Sequence, residues 1–311
     1  MDDTGNGTTR FAVNGEVRLA YEDLGPPGGD PLLLLIGLAA SRFWWPAGFL
    51  RTLQERGFRP AVCDLRDCGE STHLTRTPSA GPWRAMLRRR QAAYSAEDLA
   101  DDAAAVLDAL GWPAAHVFGL SFGGVVAQRL TLRHPERVLT LTCFASGNSD
   151  AGPRTVLLRY ARWETQLRLL PLVLRARRGD PTVGIDLLRA GATEAYPIDE
   201  RDARESLARE QERGITGFTD FAAQGRQTSA TWHGPRLREL RKPALIMCGD
   251  ADPMLRPRAS RDAAAAIPGA RLVVLPRVGH ALPRAIWPAV AGEVRALADG
   301  AQPDIGGGRP P

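Results

Sequence analysis

The stretch Val117-Phe118-Gly119-Leu120-Ser121-Phe122-Gly123-Gly124, "VFGLSFGG", joins an apolar run to the helix-like run "VVAQRLTLRHP". A serine between glycines at a strand-to-helix junction has the form of a nucleophile elbow. The serine takes a strained backbone that lifts its hydroxyl above the sheet, and Gly119 and Gly123 leave room for the neighbouring chain. The amide of Phe122 then opens a helix, where its hydrogen can be donated to a developing oxyanion.

A serine hydroxyl is a poor nucleophile at neutral pH unless a base takes its proton and a carboxylate orients that base. Downstream, "ALIMCGDADPM" ends a strand in two acids, Asp250 and Asp252, and "RLVVLPRVGHALP" ends the next in His280. Both lie just past the carboxyl ends of strands, where open α/β sheets place their sites, and the order serine, acid, histidine suits this architecture. His134 reads as a helix-end residue, His116 as a strand start, and His73 and His233 as loop residues. The second oxyanion donor is expected in the loop after "PLLLLIG", with the amide of Leu38 as the candidate.

Working outward, short apolar runs alternate with helical patterns, which predicts an α/β fold with a mainly parallel sheet. The strands are "VRLAYEDLG", an early edge strand, then "PLLLLIG", "FRPAVCDLR", "AAHVFGL", "VLTLTCFAS", "PALIMCG" and "RLVVLP". Ser95-Ala96-Glu97-Asp98 has the form of a capping box, and the helix after it carries Leu99, Ala103, Val106 and Leu110 on one face. A last helix is expected from about Pro283 to Leu297. The alternation fails between 148 and 235, so the core is assigned to 1–147 and 236–300 and the intervening part to a helical cap insertion. The Gly- and Pro-rich end, 301–311, is expected to be disordered.

Composition sets the outer bounds. The chain has 311 residues, 44% of them hydrophobic, enough for a sizeable core. No apolar run reaches the roughly 18 residues of a membrane span, and "MDDTGNGTTR" is no secretory leader, so a cytoplasmic protein without a membrane partner is expected. The net charge of +5 is carried by scattered arginines, Lys242 being the sole lysine, as the codon usage of a GC-rich genome produces. With no nucleic-acid motif present, no nucleic-acid partner is expected. The basic run Arg88-Arg89-Arg90 reads as solvated surface. Cys63, Cys68, Cys143 and Cys248 match neither a zinc pattern nor a disulfide framework, so no metal is expected.

Taken together, "PLLLLIGLAASRFWWP", "DLRDCGEST", "HVFGLSFGG" and "VGHALP" resemble the α/β-hydrolase superfamily, over roughly Val17 to Leu297. Within it the chain is similar to polyketide-tailoring hydrolases of the aclacinomycin methylesterase type. The resemblance implies Ser121 as nucleophile, His280 as base and Asp252, which precedes Pro253, as the orienting acid. Asp150, after the preceding strand, is the position some hydrolases use instead. Many relatives carry His-Gly at the oxyanion turn, where this chain has Ile36-Gly37-Leu38-Ala39-Ala40. The implied function is hydrolysis of a carboxylic ester, a polyketide methyl ester by resemblance, with no cofactor. A small apolar or aromatic ester is the expected partner, and the protein is expected as monomer or homodimer.

Phe43, Trp44, Trp45, Tyr160 and Trp163 are the candidate pocket residues, together with Phe122. The competing readings are that Trp45 starts the first covering helix as core, and that Tyr160 and Trp163, with Leu167 and Leu170, pack inside the cap. The same triad also serves thioesterases, C–C hydrolases and non-hydrolytic cyclases or lyases, and a ligand receptor can keep a hydrolase shell.

Overall fold

The computed structural model describes residues 7–75, 84–85, 92–176 and 178–301, so the Arg88–Arg90 run and the tail beyond Ala301 lie outside the described residues. Eight strands form one sheet: β1 (Arg10–Asn14), β2 (Val17–Asp23), β3 (Asp30–Leu35), β4 (Phe58–Cys63), β5 (Ala115–Leu120), β6 (Val138–Phe144), β7 (Ala244–Gly249) and β8 (Arg271–Leu275). Their spatial order is β1-β2-β4-β3-β5-β6-β7-β8. All pairings are parallel except β1–β2 and β2–β4.

The expected α/β-hydrolase architecture is therefore present, with one strand more than the sequence reading assigned. "VRLAYEDLG" is second in the sheet, because β1 pairs along it through a hairpin whose two-residue turn is Gly15-Glu16, between the paired Asn14 and Val17. Gly15 has φ +59° and Glu16 does not, and glycine at the first central position suits such a turn because only that position needs positive φ.

The core helices are α1 (Ala47–Glu55), α2 (Ala96–Ala109) and α3 (Phe122–Arg133). Ser95 and Asp98 form the capping box of α2: Asp98 N–H donates to Ser95 Oγ at 3.1 Å and Ser95 N–H to Asp98 Oδ2 at 2.7 Å. Side chains of β3 alternate between two buried layers. Leu33 and Leu35 join Leu99, Ala103 and Leu130 from α2 and α3, while Leu32 and Leu34 join Phe49 and Phe118 on the opposite face. Each such leucine contributes about 1.5–3 kcal/mol by leaving water, which explains why these runs are continuously apolar instead of alternating.

Between β6 and β7 the chain is helical: a turn that is π-helical at Val156–Tyr160, then α4 (Trp163–Arg168), α5 (Leu170–Ala176), α6 (Val183–Gly191), α7 (Glu200–Glu212) and α8 (Phe221–Ser229). Helix α9 (Arg258–Ala266) follows β7, and α10 (Trp287–Ala301) closes the chain after a 3-10 turn at Arg284–Ile286, so the last helix starts later than expected. Among the described residues, no helix is long and apolar enough to cross a membrane.

Buried ion pairs and hydrogen bonds fasten this helical segment to the loops that leave β3 and β4. Arg226 of α8 grips Asp67 with two bonds, at 2.8 and 2.9 Å. Ser41 Oγ donates to Glu210 Oε1 of α7 at 2.6 Å. Burial, partly offset by that hydrogen bond, pushes the Glu210 carboxyl up to about 7.

Candidate active site

Sheet order reverses direction between β3 and β5, and the loops that leave these two strands diverge to open a crevice at their carboxyl ends. Ser121 stands there with φ +54° and ψ −118°, a left-handed conformation that is strained for a side chain with a Cβ. Its amide donates to Phe144 O at 2.9 Å, and Gly124 N–H donates back to Ser121 O at 3.0 Å. The glycines are required by approach: a Cβ on Gly119 would lie 2.4 Å from Gly124 Cα, and one on Gly123 would lie 2.0 Å from Leu35 O.

His280 Nε2 lies 2.9 Å from Ser121 Oγ, and His280 Nδ1 lies 2.7 Å from Asp252 Oδ2. The other Asp252 oxygen accepts from the amides of Met254 (2.7 Å) and Leu255 (2.9 Å), which aim the carboxylate at His280. Burial works to lower the His280 pKa, but the charge of Asp252 and its hydrogen bond outweigh it, and the imidazole sits above its ordinary value of 6.5.

Asp250 and Asp150 stand elsewhere. Asp250 is exposed and its Oδ1 accepts from Arg277 N at 2.6 Å, bracing the histidine loop from behind. Asp150 Oδ2 accepts from Leu237 N at 3.0 Å. The other histidines have structural partners: His134 caps the end of α3 beside Asp101 at 2.7 Å, and His116 bonds Thr140 at 2.8 Å with burial pushing its pKa down to about 4.

The loop after β3 reaches the serine from the other side. A Cβ on Gly37 would lie 3.5 Å from Ser121 Cβ, and Leu38 lines the same cavity. Ala39 takes φ +53°, and its amide donates to Gln227 Oε1 at 3.1 Å, while Gln227 Nε2 donates to Arg66 O at 3.0 Å. A buried glutamine from α8 thus pins the turn that carries Leu38. Among the described residues no acceptor takes the amides of Leu38 or Phe122.

Sequence reading missed Gln227, since a lone glutamine in a helical pattern carries no signal until the turn it serves is known. It also missed Gly191 at the end of α6, whose carbonyl accepts from both His280 N (2.7 Å) and Ala281 N (3.2 Å).

Above Ser121 lies a cavity of about 1030 Å³, lined mainly by apolar side chains that include Trp44, Tyr160, Val173, Leu188, Phe218 and Trp287. Of the expected pocket residues, Trp44, Trp45, Tyr160 and Phe122 line it, and Phe43 and Trp163 do not. Phe43 turns away because guanidiniums surround it: Arg42 sits 4.2 Å from its ring, and Arg209 and Arg213 each 5.6 Å, an attraction to the ring's negative face. Trp163 and Leu167 face outward, so the expectation that they pack inside the cap is corrected, while Leu170 is exposed yet also borders the cavity. Trp45 is buried as the core reading held, but it follows a 3-10 turn at Arg42–Trp44 and precedes α1, whose first residue is Ala47.

The chain belongs to the α/β hydrolase fold family, which matches residues 30–283. Within that family it is similar along nearly its whole length to two streptomycete enzymes. Rhodomycin D methylesterase DnrP of Streptomyces peucetius is 31% identical over 308 residues, covering 93% of this chain and 97% of the relative. Rhodomycin D methylesterase DauP of Streptomyces sp. (strain C5) is 30% identical over 306 residues, with the same coverage of 93% and 97%. Among solved structures, a thermophilic esterase from Thermogutta terrifontis shares the fold with a TM-score of 0.63 at 22% identity, covering 96% of this chain and 100% of that one.

Proposed function

We propose that the protein is a serine hydrolase that cleaves a methyl ester of a polyketide or similar bulky apolar acid. The observation that carries this reading is the hydrogen-bonded line Ser121–His280–Asp252 at the floor of a large apolar cavity. Similarity to two methylesterases over most of both chains supports the ester and the substrate class.

In the proposed reaction His280 Nε2 takes the Ser121 proton as Oγ attacks the ester carbonyl, and Asp252 stabilises the imidazolium through Nδ1–H. The Phe122 and Leu38 amides donate to the oxyanion; one such donor is typically worth about 10²–10³ in rate. Collapse expels methoxide, which leaves as methanol with the proton held by His280, and an acyl-enzyme remains on Ser121. Water, deprotonated by His280, then attacks the acyl carbonyl, releasing the acid and restoring the serine. Every group needed is a side chain or backbone amide of this chain. The helical segment 148–235 is assigned as the cap that encloses the acid portion, and its apolar wall suits fused rings better than charged acids.

The test is a burst assay with a p-nitrophenyl ester on the wild type and Ser121→Ala, followed by intact mass, then methanol release from a polyketide methyl ester. A Ser121-dependent acyl adduct and stoichiometric methanol are expected. Unchanged turnover in Ser121→Ala would sink the mechanism, and an isomeric product without gain of water would point to a cyclase or lyase.

A further inference from the structure

The helices α4 and α5 are apolar on two opposite sides. Leu169, Leu170, Leu172 and Val173 line the cavity. On the outer side Trp163, Leu167 and Leu174 are spaced four and seven residues apart, which is one face of a helix, and Leu170 lies between them, exposed and bordering the cavity. The helix runs nearly continuously through them, Leu169 N–H donating to Thr165 O and Val173 N–H to Leu169 O. This outer row is not buried: Leu167, Leu170 and Leu174 are 56–65% exposed, Trp163 is 44% exposed, and Leu158 on the preceding turn is 69% exposed. They make up most of the large hydrophobic side chains exposed among the described residues. A contiguous exposed apolar row marks a contact surface.

Charge decides what it contacts. Between residues 153 and 178 the sequence holds seven arginines and a single acid, Glu164. Arg175 is neutralised by Asp180 and Asp186, and Arg159 leans toward Asp262 at 3.9 Å. Arg154, Arg168 and Arg178 are exposed and form no ion pair among the described residues. A second copy of this chain fits poorly. Antiparallel pairing would match Trp163 with Leu174 and Leu167 with Leu170, but it would also set Arg159, 3.9 Å from Asp262, against Arg178, which forms no ion pair among the described residues. An apolar face of Trp and Leu bordered by arginines is instead the make-up of a helix that lies in a membrane interface.

We propose that the outer face of α4–α5 docks on an anionic lipid surface, with Leu158, Leu167, Leu170 and Leu174 entering the acyl boundary and the arginines on the phosphates. The docked helices also line the cavity, so an apolar substrate dissolved in the bilayer meets the enzyme beside its site. That delivery role rests on the proposed esterase reading, whereas the docking itself does not. The expectation of no membrane partner was drawn from the lack of a spanning segment, and a surface helix needs none.

The experiment is co-sedimentation of the full chain with vesicles of phosphatidylcholine alone or mixed equally with phosphatidylglycerol. Turnover of a soluble p-nitrophenyl ester is followed in parallel. Binding to the anionic vesicles alone, weakened by salt, is expected. Leu167→Ser/Leu174→Ser should abolish it, and Arg154→Gln/Arg168→Gln should weaken it about thirtyfold, near a tenfold loss for every 1.4 kcal/mol at about 1 kcal/mol per arginine. Both variants should retain soluble-ester turnover, which keeps failure of docking distinct from failure of the esterase reading. Three results would overturn the proposal: no anionic-vesicle binding, vesicle binding that the leucine replacements leave intact, or a concentration-dependent dimer that they abolish. The second would mean general attraction of a basic chain, and the third a protein interface.

Discussion

Gln227 accepts a hydrogen bond from the amide of Ala39 at 3.1 Å, across 188 positions of sequence. The bond ties a helix of the insertion to the turn that presents the Leu38 amide beside Ser121. Gln227→Leu should therefore lower kcat about ten- to a hundredfold with a smaller change in KM, because the lost element acts on the transition state. It also orphans two buried groups, Ala39 N–H and Arg66 O, at roughly 1–3 kcal/mol each. Steady-state kinetics together with thermal unfolding checks this, and an unchanged kcat would remove Gln227 from the positioning of the oxyanion turn.

The pH dependence follows from His280. Only neutral imidazole can take the Ser121 proton, so activity is lost as pH falls through the His280 pKa, which lies above 6.5. The acid limb of kcat/KM should accordingly sit above that value. In Asp252→Asn the charge that raises the pKa is gone while burial, which lowers it, remains. The limb should shift to lower pH and the plateau should fall by about 10⁴, as for loss of an orienting carboxylate. Because the folded-state pKa is raised, the stability the Asp252–His280 pair gives is complete below 6.5 and fades as pH rises through the folded value. An acid limb that stays in place in Asp252→Asn would contradict the assignment.

Glu210 predicts a second, independent pH effect, this time on stability. Its carboxyl is raised from 4.5 to about 7, so the folded chain favours the protonated form. The associated stability is present below 4.5 and is lost as pH rises through about 7, an effect of order 3 kcal/mol. Glu210→Gln should retain the acceptor for Ser41 Oγ, flatten that dependence and unfold later than the wild type at pH 8. Denaturant melts at pH 5 and pH 8 measure it; equal slopes for both proteins would contradict the assignment.

Arg42 is almost fully buried and bonds Glu22 at 2.8 Å, Asp64 at 2.5 Å and Glu70 at 2.5 Å. Arg42→Met leaves buried carboxylates without a counter-charge, and a loss of about 3–5 kcal/mol is expected. Chemical denaturation reads the loss directly. Asp23→Asn, at a part-buried pair with Arg59, should cost far less and serves as the comparison.

Much of the fold was legible because buried parallel strands are largely apolar: "PLLLLIG" and "PALIMCG" are continuously so, and "AAHVFGL" departs only at His116, which bonds Thr140. Ser121, Asp252 and His280 were legible for a related reason: each follows a parallel strand, the last of them the edge strand β8, and the sheet brings the carboxyl ends of its strands together whatever their separation in sequence. Strand β1 was missed because it is five residues long and buries only Ala12, leaving even Phe11 and Val13 exposed, so the Gly15 turn was its only strong mark.

The sequence by itself determined the chain order of the chemistry, the strained serine turn and the apolar layers that build the sheet, because these depend on local backbone geometry and on periodicity. Tertiary structure alone decided which of Asp150, Asp250 and Asp252 meets His280, that Gln227 holds the turn at Leu38-Ala39, and that Phe43 and Trp163 face away from the cavity. Those outcomes depend on loop paths and on the docking of helices that carry apolar residues on both sides. Periodicity says only that such a residue lies on a face, and packing chooses which face is covered.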